Sequence, residues 1–423
     1  MNTKKQTVAV IGGGVIGLTS AYQLQKLGYA VTIFDGNGLA STASASFGNA
    51  GHFATEQVFP LADAALIPQL PKMLVDPLGP FKIQPSYFAK ALPWFMRFMG
   101  QMRQKERLAN GNAIKALNTQ SIPSWQRLAR DINAENLVLV DGSLLTYESD
   151  GKAIEAELQH YRAQGVAVEK VSAQRLKQLA PSLSNKIVCA LHFTEVGHTP
   201  CPQQLCQRIG DAFKALGGLV VRTHVDNISQ STPPRISAGN EVQAFDKVVV
   251  CTGAHGKKLV KQLGFDVPLE TERGYHLMLP IKSSLTRPVA SADRKFIMTP
   301  MANGLRLAGT VEFGGLENAP DYRRSEMLLT HAKAMLDQAQ VPELGELELS
   351  SIGNEARWMG FRPSLPDSLP IIDKSPNNPS ILFNFGHQHL GLTWGAISGE
   401  LMASLITGQQ PRIELAPYRI TRF

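Results

Sequence analysis

Cysteine is scarce. Cys189, Cys201, Cys206 and Cys251 are the only four in 423 residues, and no two form a C-x-x-C pair. That spacing gives neither a zinc site nor a disulfide framework, so the four read as reduced thiols of a cytoplasmic protein. No uninterrupted apolar run reaches the ~18 residues that a membrane-spanning helix needs. A secretory leader is not expected either. Lys4 and Lys5 precede TVAVIGGGVIGL, but three consecutive glycines weaken a leader's helical core, and no small-x-small cleavage site follows. An excess of one charge is also lacking. The net charge of +7 is small and dispersed, which argues against nucleic acid and mildly favours an anionic substrate or membrane surface. No internal repeat is present. With 43% hydrophobic and 18% charged residues the chain is a folded one, and its length suggests two or three domains.

Against these absences stands one dense local pattern, VAVIGGGVIGLTSAYQLQKLGYAVTIFD over residues 8–35. A short apolar strand meets Gly12-Gly13-Gly14, a helical stretch carries Gly17, Ala21 and Leu24 on one face, and a second β-rich run ends at Asp35. Gly12, Gly14 and Gly17 make the G-x-G-x-x-G fingerprint of a dinucleotide-binding βαβ unit. The first glycine permits the tight turn, the second lets backbone approach a pyrophosphate, and the third lets helix and strand come together. Val15 and Ile16 open the helix, whose free N–H groups and positive dipole end suit phosphate. Asp35 follows Gly12 by 23 residues, where the ribose-binding acid is expected, and it favours FAD or NAD over a 2′-phosphorylated cofactor.

After Asp35 comes STASASFGNAGH, residues 41–52, whose small side chains suit close wrapping around a ligand. Ser44, Ser46, Asn49, Ala50 and Gly51 are therefore expected cofactor contacts. Residues 60–85 are irregular and rich in proline. Residues 87–107 carry Trp94, Phe95, Phe98 and Met99 beside Arg97, Arg103, Lys105 and Arg107. They read first as a core helix, and alternatively as a basic amphipathic surface for lipid. Residues 112–132 and 151–180 look helical, with a strand-like LVLV at 137–140. A helix within 197–218 leads into the strand LVVRTHVDNI, which includes Val225, another expected cofactor contact. A β-branched run then lands on Cys251-Thr252-Gly253, a buried strand ending in a glycine turn where open sheets bind ligands. Residues 271–312 read as antiparallel sheet around an Asn303-Gly304 turn. Helix occupies 323–340, and the chain closes through NEARWMGFRPSLPDSLPIID and GHQHLGLTWGAISGELMASLITG.

In that order, the fingerprint, SFGNAGH, VVVCTGAHG, ERGYH, GFRPSLPDSLPIID and the terminal glycine-loop helix resemble the D-amino-acid oxidase and dehydrogenase flavoproteins over essentially the whole chain. The resemblance is strongest to the bacterial D-amino-acid dehydrogenase type. It implies an α/β fold: a Rossmann-like FAD domain (1–60, 190–270, 355–423) with an inserted mixed-sheet substrate domain (61–189, 271–354). FAD would be held non-covalently, with Thr252, Gly253, Gly391, Leu392 and Thr393 among its contacts. A helix N-terminus at 391–393 would face the reduced ring. Arg362 matches the family's carboxylate-binding arginine, a role suited to its planar two-pronged donor. Tyr275 matches a position that presents a polar group to substrate. His276, its neighbour, His52, at the end of the small-residue loop, and His389, where other members carry arginine or another residue, complete the expected catalytic group. His387 and His389 lack a third ligand nearby, so no metal is expected.

The implied reaction is oxidation of a D-amino or imino acid, with hydride passing from Cα to flavin N5 and a quinone or oxygen as final acceptor. A glycine or sarcosine oxidase, an NAD-dependent dehydrogenase and a non-catalytic flavin subunit are the alternatives. The expected location is the cytoplasm, with peripheral contact at the inner membrane and a homo-oligomer both compatible with the sequence.

Overall fold

In the computed structural model, which describes residues 5–69 and 79–423, the fingerprint folds as its spacing predicts: β1 (Thr7–Ile11), α1 (Val15–Lys26) and β2 (Ala30–Phe34). Lys4, part of the leader pattern, and residues 70–78 of the proline-rich stretch lie outside the described residues. β1 is the hub of a six-stranded sheet with the order 371–374, 381–385, 247–250, β1, β2, 219–221. All neighbours are parallel except the antiparallel pair Ile371–Lys374 and Ile381–Phe385. Successive β1 residues point to opposite faces, and both faces are covered. Val8 and Val10 pack under α1 and the helices Gln104–Asp131, Pro202–Ala215 and Gly395–Thr407. Ala9 and Ile11 join a second core with Ile228, Ile236 and Leu259. Burial on both sides is why this strand reads as continuously apolar rather than alternating.

A nine-stranded sheet forms the second layer. Its two longest strands, Glu270–Leu279 and Gly304–Phe313, pair antiparallel near one end of the sheet, where Arg357–Ser364 is the edge strand beside the first of them. The expected hairpin is present, with Met301 paired to Gly304 across a two-residue turn at 302–303, so Gly304 opens the return strand. A register shift between Tyr275 and His276 leaves Gly309 as the extra residue opposite them. Gly309 has φ +153°, and a Cβ there would press on Phe296. Leu277, Leu305 and Leu307 bury one face of this sheet against the helix Arg323–Met335.

Sheet membership moves the expected domain boundaries. Residues 190–193 of the strand Cys189–Phe193, and Arg357–Ser364, are expected in the nucleotide-binding half, yet both strands hydrogen-bond within the nine-stranded sheet. The helix expected over 151–180 is broken by Gly165 at φ +76°, after which Val168–Ser172 pairs as a strand. The single strand expected at 219–228 is two, Leu219–Val221 and Val225–Ser229, in different sheets. At 137–140 there is a turn of 3-10 helix and one bridge, Leu139 to His198, instead of a strand.

The helix Phe88–Gly100 divides between both expectations for 87–107. Trp94 is buried and stacks on Phe98 at 5.0 Å, and Phe95 packs on Phe313 at 4.9 Å. These rings, expected to enter lipid in the alternative reading, are turned inward. Met99, the fourth residue of that expectation, does face outward, joining Phe88, Leu92 and Met96; Phe88, Leu92, Met96 and Met99 are 52%, 45%, 58% and 45% exposed. Their spacing of three to four residues aligns them on one outward stripe.

Candidate active site

Between the two sheets runs a cavity of 690 Å³, within the ~300–1,000 Å³ range of ligand sites. One end is the glycine cradle. Gly12 sits at φ +106°, with Cys251 O where its Cβ would be, and a Cβ on Gly17 would overlap Gly12 O. Asp35 accepts from Gly13 N at 2.7 Å and from Asn37 N at 2.8 Å, so the acid is fixed at the turn. Val15 N, at the start of α1, donates to Ser46 Oγ at 2.9 Å, and Ser44 Oγ accepts from Ser46 N at 3.2 Å. Across from them, Thr252 Oγ1 is buried without a hydrogen-bond partner among the described residues. A cradle that any Cβ would fill, a helix N-terminus and an unpartnered buried hydroxyl together fit the phosphates and ribose of a dinucleotide.

The small-residue loop is held against this cradle from the second sheet. Arg306, 6% exposed, donates from Nη1 to Asn49 O at 2.6 Å and to Phe47 O at 3.1 Å. His276 Nδ1 donates to Gly48 O at 3.0 Å, and its ring stacks on Trp358 at 5.1 Å. Trp358 Nε1 donates to Thr42 O at 2.8 Å. Burial pushes the His276 pKa down to about 3, so the imidazole stays neutral and serves as a loop anchor.

Arg362 lies on the wall at the other end, its guanidinium over Gly274 in the space a Cβ would take. Among the described residues its one hydrogen bond is a long one, Nη1 to Thr310 O at 3.4 Å. Glu272 is its cross-strand neighbour, yet no Arg362–carboxylate pair falls within 4 Å among the described residues. Burial lowers the arginine's pKa and raises that of Glu272, while their mutual attraction opposes both shifts. His389 is pushed to about 3 by burial and by the Arg362 charge, and its Nε2 lies 2.6 Å from Gln57 Oε1. His52 is likewise pushed to about 3 by burial. Its Nε2 stands 3.6 Å from Glu56 Oε1, and burial raises that carboxyl to about 8.

Because Glu56 is neutral in the fold and ionised when unfolded, its burial costs stability progressively as pH rises from ~4.5 toward 8. The groups facing it are His52 and Tyr161. Glu56→Gln is therefore expected to raise the melting temperature, little at pH 5 and by up to ~3 kcal/mol equivalent at pH 7. Melting curves across that range check it, and a pH-independent difference would contradict it.

Of the residues expected from sequence, Gly12, Gly14, Val15, Ile16, Asp35, Ser44, Ser46, Asn49, Ala50, His52, Thr252, Gly253, Tyr275, Arg362, His389, Gly391 and Leu392 line the cavity. Others do not. Gly17 packs on Gly12, and Gly51, at φ +74°, turns the loop against Thr199 O. Val225 packs beside the core of the three-stranded sheet 225–244. Thr393 is occupied, its Oγ1 accepting from Ala54 N at 3.0 Å and its carbonyl from Trp125 Nε1 at 3.1 Å. The helix expected to start at 391–393 begins at Gly395. Tyr275 lines the cavity, but its hydroxyl points into the sheet, donating to Glu312 at 2.6 Å and accepting from Asp321 N at 3.1 Å. His387 Nε2 is paired with Ser398 Oγ at 2.9 Å. Sequence reasoning missed Arg306, Trp358, Gln57 and Glu56.

A phosphate cradle at the carboxyl ends of parallel strands, opening into a cavity lined by antiparallel strands, defines a dinucleotide-dependent enzyme. The chain belongs to the DAO family of FAD dependent oxidoreductases, whose family model matches residues 7–405, and FAD is accordingly its cofactor. It is 32% identical over 421 residues to a D-amino-acid oxidase of Bradyrhizobium diazoefficiens, covering 98% of each chain. A D-amino acid dehydrogenase of Vibrio vulnificus is 27% identical over 414 residues, covering 95% of this chain and 96% of that one. Among solved structures, glycine oxidase from Geobacillus kaustophilus superposes with a TM-score of 0.76 at 20% identity, over 99% of this chain and 100% of that one. That last likeness concerns the fold.

Proposed function

We propose that the protein oxidises a D-amino acid, or a cyclic imino acid of proline type, to the corresponding imine. The observation that carries this is Arg362: a guanidinium on the cavity wall with no carboxylate within 4 Å among the described residues. A fork of donors with one long bond to a carbonyl suits a substrate carboxylate, which it would hold by two parallel charge-assisted hydrogen bonds. The likeness to a D-amino-acid oxidase over the full length supports the substrate class. FAD, when bound, supplies the hydride acceptor. Arg362 fixes the substrate so that Cα–H faces the ring, a positioning contribution. The burial that keeps His389 and His52 neutral also disfavours an ammonium beside them, so the substrate amine is held in its neutral form. Anaerobic titration with D-amino acids, imino acids, glycine and N-methylglycine is the test. Bleaching of the flavin by a D-amino or imino acid is expected. Bleaching by glycine or N-methylglycine alone would move the assignment to that type of oxidase, and none at all would overturn it.

The cofactor is read as non-covalent. Cys251, the cysteine on the cavity wall, has its thiol pushed up to about 12 by burial and is a poor nucleophile. Acid precipitation is expected to release the flavin to the supernatant, and yellow colour kept in the pellet would contradict this.

A second feature bears on the electron acceptor. No helix among the described residues is long and apolar enough to cross a membrane. The outward stripe Phe88, Leu92, Met96 and Met99, beside exposed Lys90, Arg97, Arg103 and Lys105, suits the interface of an anionic bilayer. It favours a membrane quinone over oxygen. Co-sedimentation with anionic vesicles at low salt is expected, and to be lost in Leu92→Glu/Met96→Glu. Absent binding, or binding that survives those changes, would overturn the membrane reading of this stripe.

A further inference from the structure

Beyond Arg362 the cavity wall carries a carboxyl group that hydride transfer does not require. Glu56 is 7% exposed and lines the cavity, and its Oε2 has no hydrogen-bond partner among the described residues. The neighbouring His52 Nε2, 3.6 Å from Oε1, also has none, and no lysine or arginine pairs with Glu56 within 4 Å among the described residues. A buried acid left unpaired is costly unless something outside the chain completes it. His52 and Tyr161 line the same cavity as Glu56, and the Tyr161 ring lies tilted against Phe59 at 5.6 Å. Arg362 lines the same cavity beside His389, and no Arg362–Glu56 pair falls within 4 Å among the described residues, so the cavity carries both a positive group and an acid.

Resting on the amino-acid reading above, we propose that Glu56, with His52 beside it, is a side-chain subsite selecting substrates that end in an ammonium or guanidinium group. The substrate's carboxylate lies on Arg362 and its distal cation on Glu56. The cation supplies the N–H donors that the carboxylate and imidazole lack, and the Tyr161 face adds a cation–π contact. Burial holds the empty carboxyl protonated to about pH 8, so binding of the cation releases one proton from Glu56 to solvent.

The test compares D-lysine with D-norleucine, which is D-lysine without its terminal ammonium, on the FAD-loaded enzyme at pH 8. The wild type is expected to favour D-lysine in kcat/KM by tenfold or more. That ratio is expected to fall at least tenfold in Glu56→Gln and to be partly restored in Glu56→Asp. Equal or better turnover of D-norleucine by the wild type overturns the subsite, as does a ratio unmoved by Glu56→Gln. Both results leave amino-acid oxidation itself standing. If no amino acid reduces the flavin, the reading beneath fails and the subsite with it.

Discussion

Arg362→Ala is expected to lower kcat/KM for the best amino-acid substrate by about 30-fold to several thousand-fold, a loss of ~2–5 kcal/mol in transition-state binding. The range follows from removing a two-pronged ionic hydrogen bond inside a cavity. The loss should fall on kcat as well as KM, because the carboxylate grip also aims Cα–H. Arg362→Lys keeps the charge but not the planar fork, so an intermediate value is expected. Gly274→Ala is the companion change. Its Cβ would occupy the place of the guanidinium, displacing Arg362 without removing it. Steady-state kinetics on FAD-loaded variants decide the matter. An Arg362→Ala enzyme within a few-fold of wild type would return Arg362 to a purely structural role beside Glu272.

What the sequence made legible was local. The βαβ unit can be read because turn, close approach and acid all fall within residues 8–35, where each spacing has one physical meaning. Arg362 stands in a recognisable run, and its strand partners lie within reach of the ERGYH segment it faces. What could not be read depends on pairs far apart in the chain. Arg306 reaches Asn49 across 257 positions, His276 reaches Gly48 across 228, and Trp358 reaches Thr42 across 316. Nothing local marks Arg306 in an alternating strand, GLRLAGTVEF, as the residue that pins a loop of the other layer. His276 was placed near the chemistry because it adjoins Tyr275, but a bulge opposite the pair turns the two side chains to different tasks. Glu56 was invisible for another reason: a single acid after a glycine-rich loop carries no signal until its burial and its missing partner are seen. The helix Phe88–Gly100 posed the converse problem, since it is apolar on two faces and only one of them is covered.

The cradle itself offers the other large effect. Gly17→Val is expected to yield protein that carries no flavin after gel filtration and that melts well below the wild type. At position 17 even a Cβ would overlap Gly12 O, with Cys251 Cβ at 3.4 Å on the far side, so α1 must move away from β1. Overpacking of this kind costs ~1–3 kcal/mol or more in the fold alone. The displacement also carries off the helix N-terminus, where Val15 N meets Ser46, and the turn whose Gly13 N is bound by Asp35. Phosphate and ribose contacts are thus lost together, which is why flavin binding is expected to vanish rather than weaken. Gly100→Ala is the control. A Cβ there meets nothing within 4 Å, so a full complement of flavin is expected. Absorbance near the flavin band, read against protein after desalting, measures both. A Gly17→Val protein that keeps stoichiometric flavin would show that the cofactor is held elsewhere than at Gly12, Gly14 and Asp35.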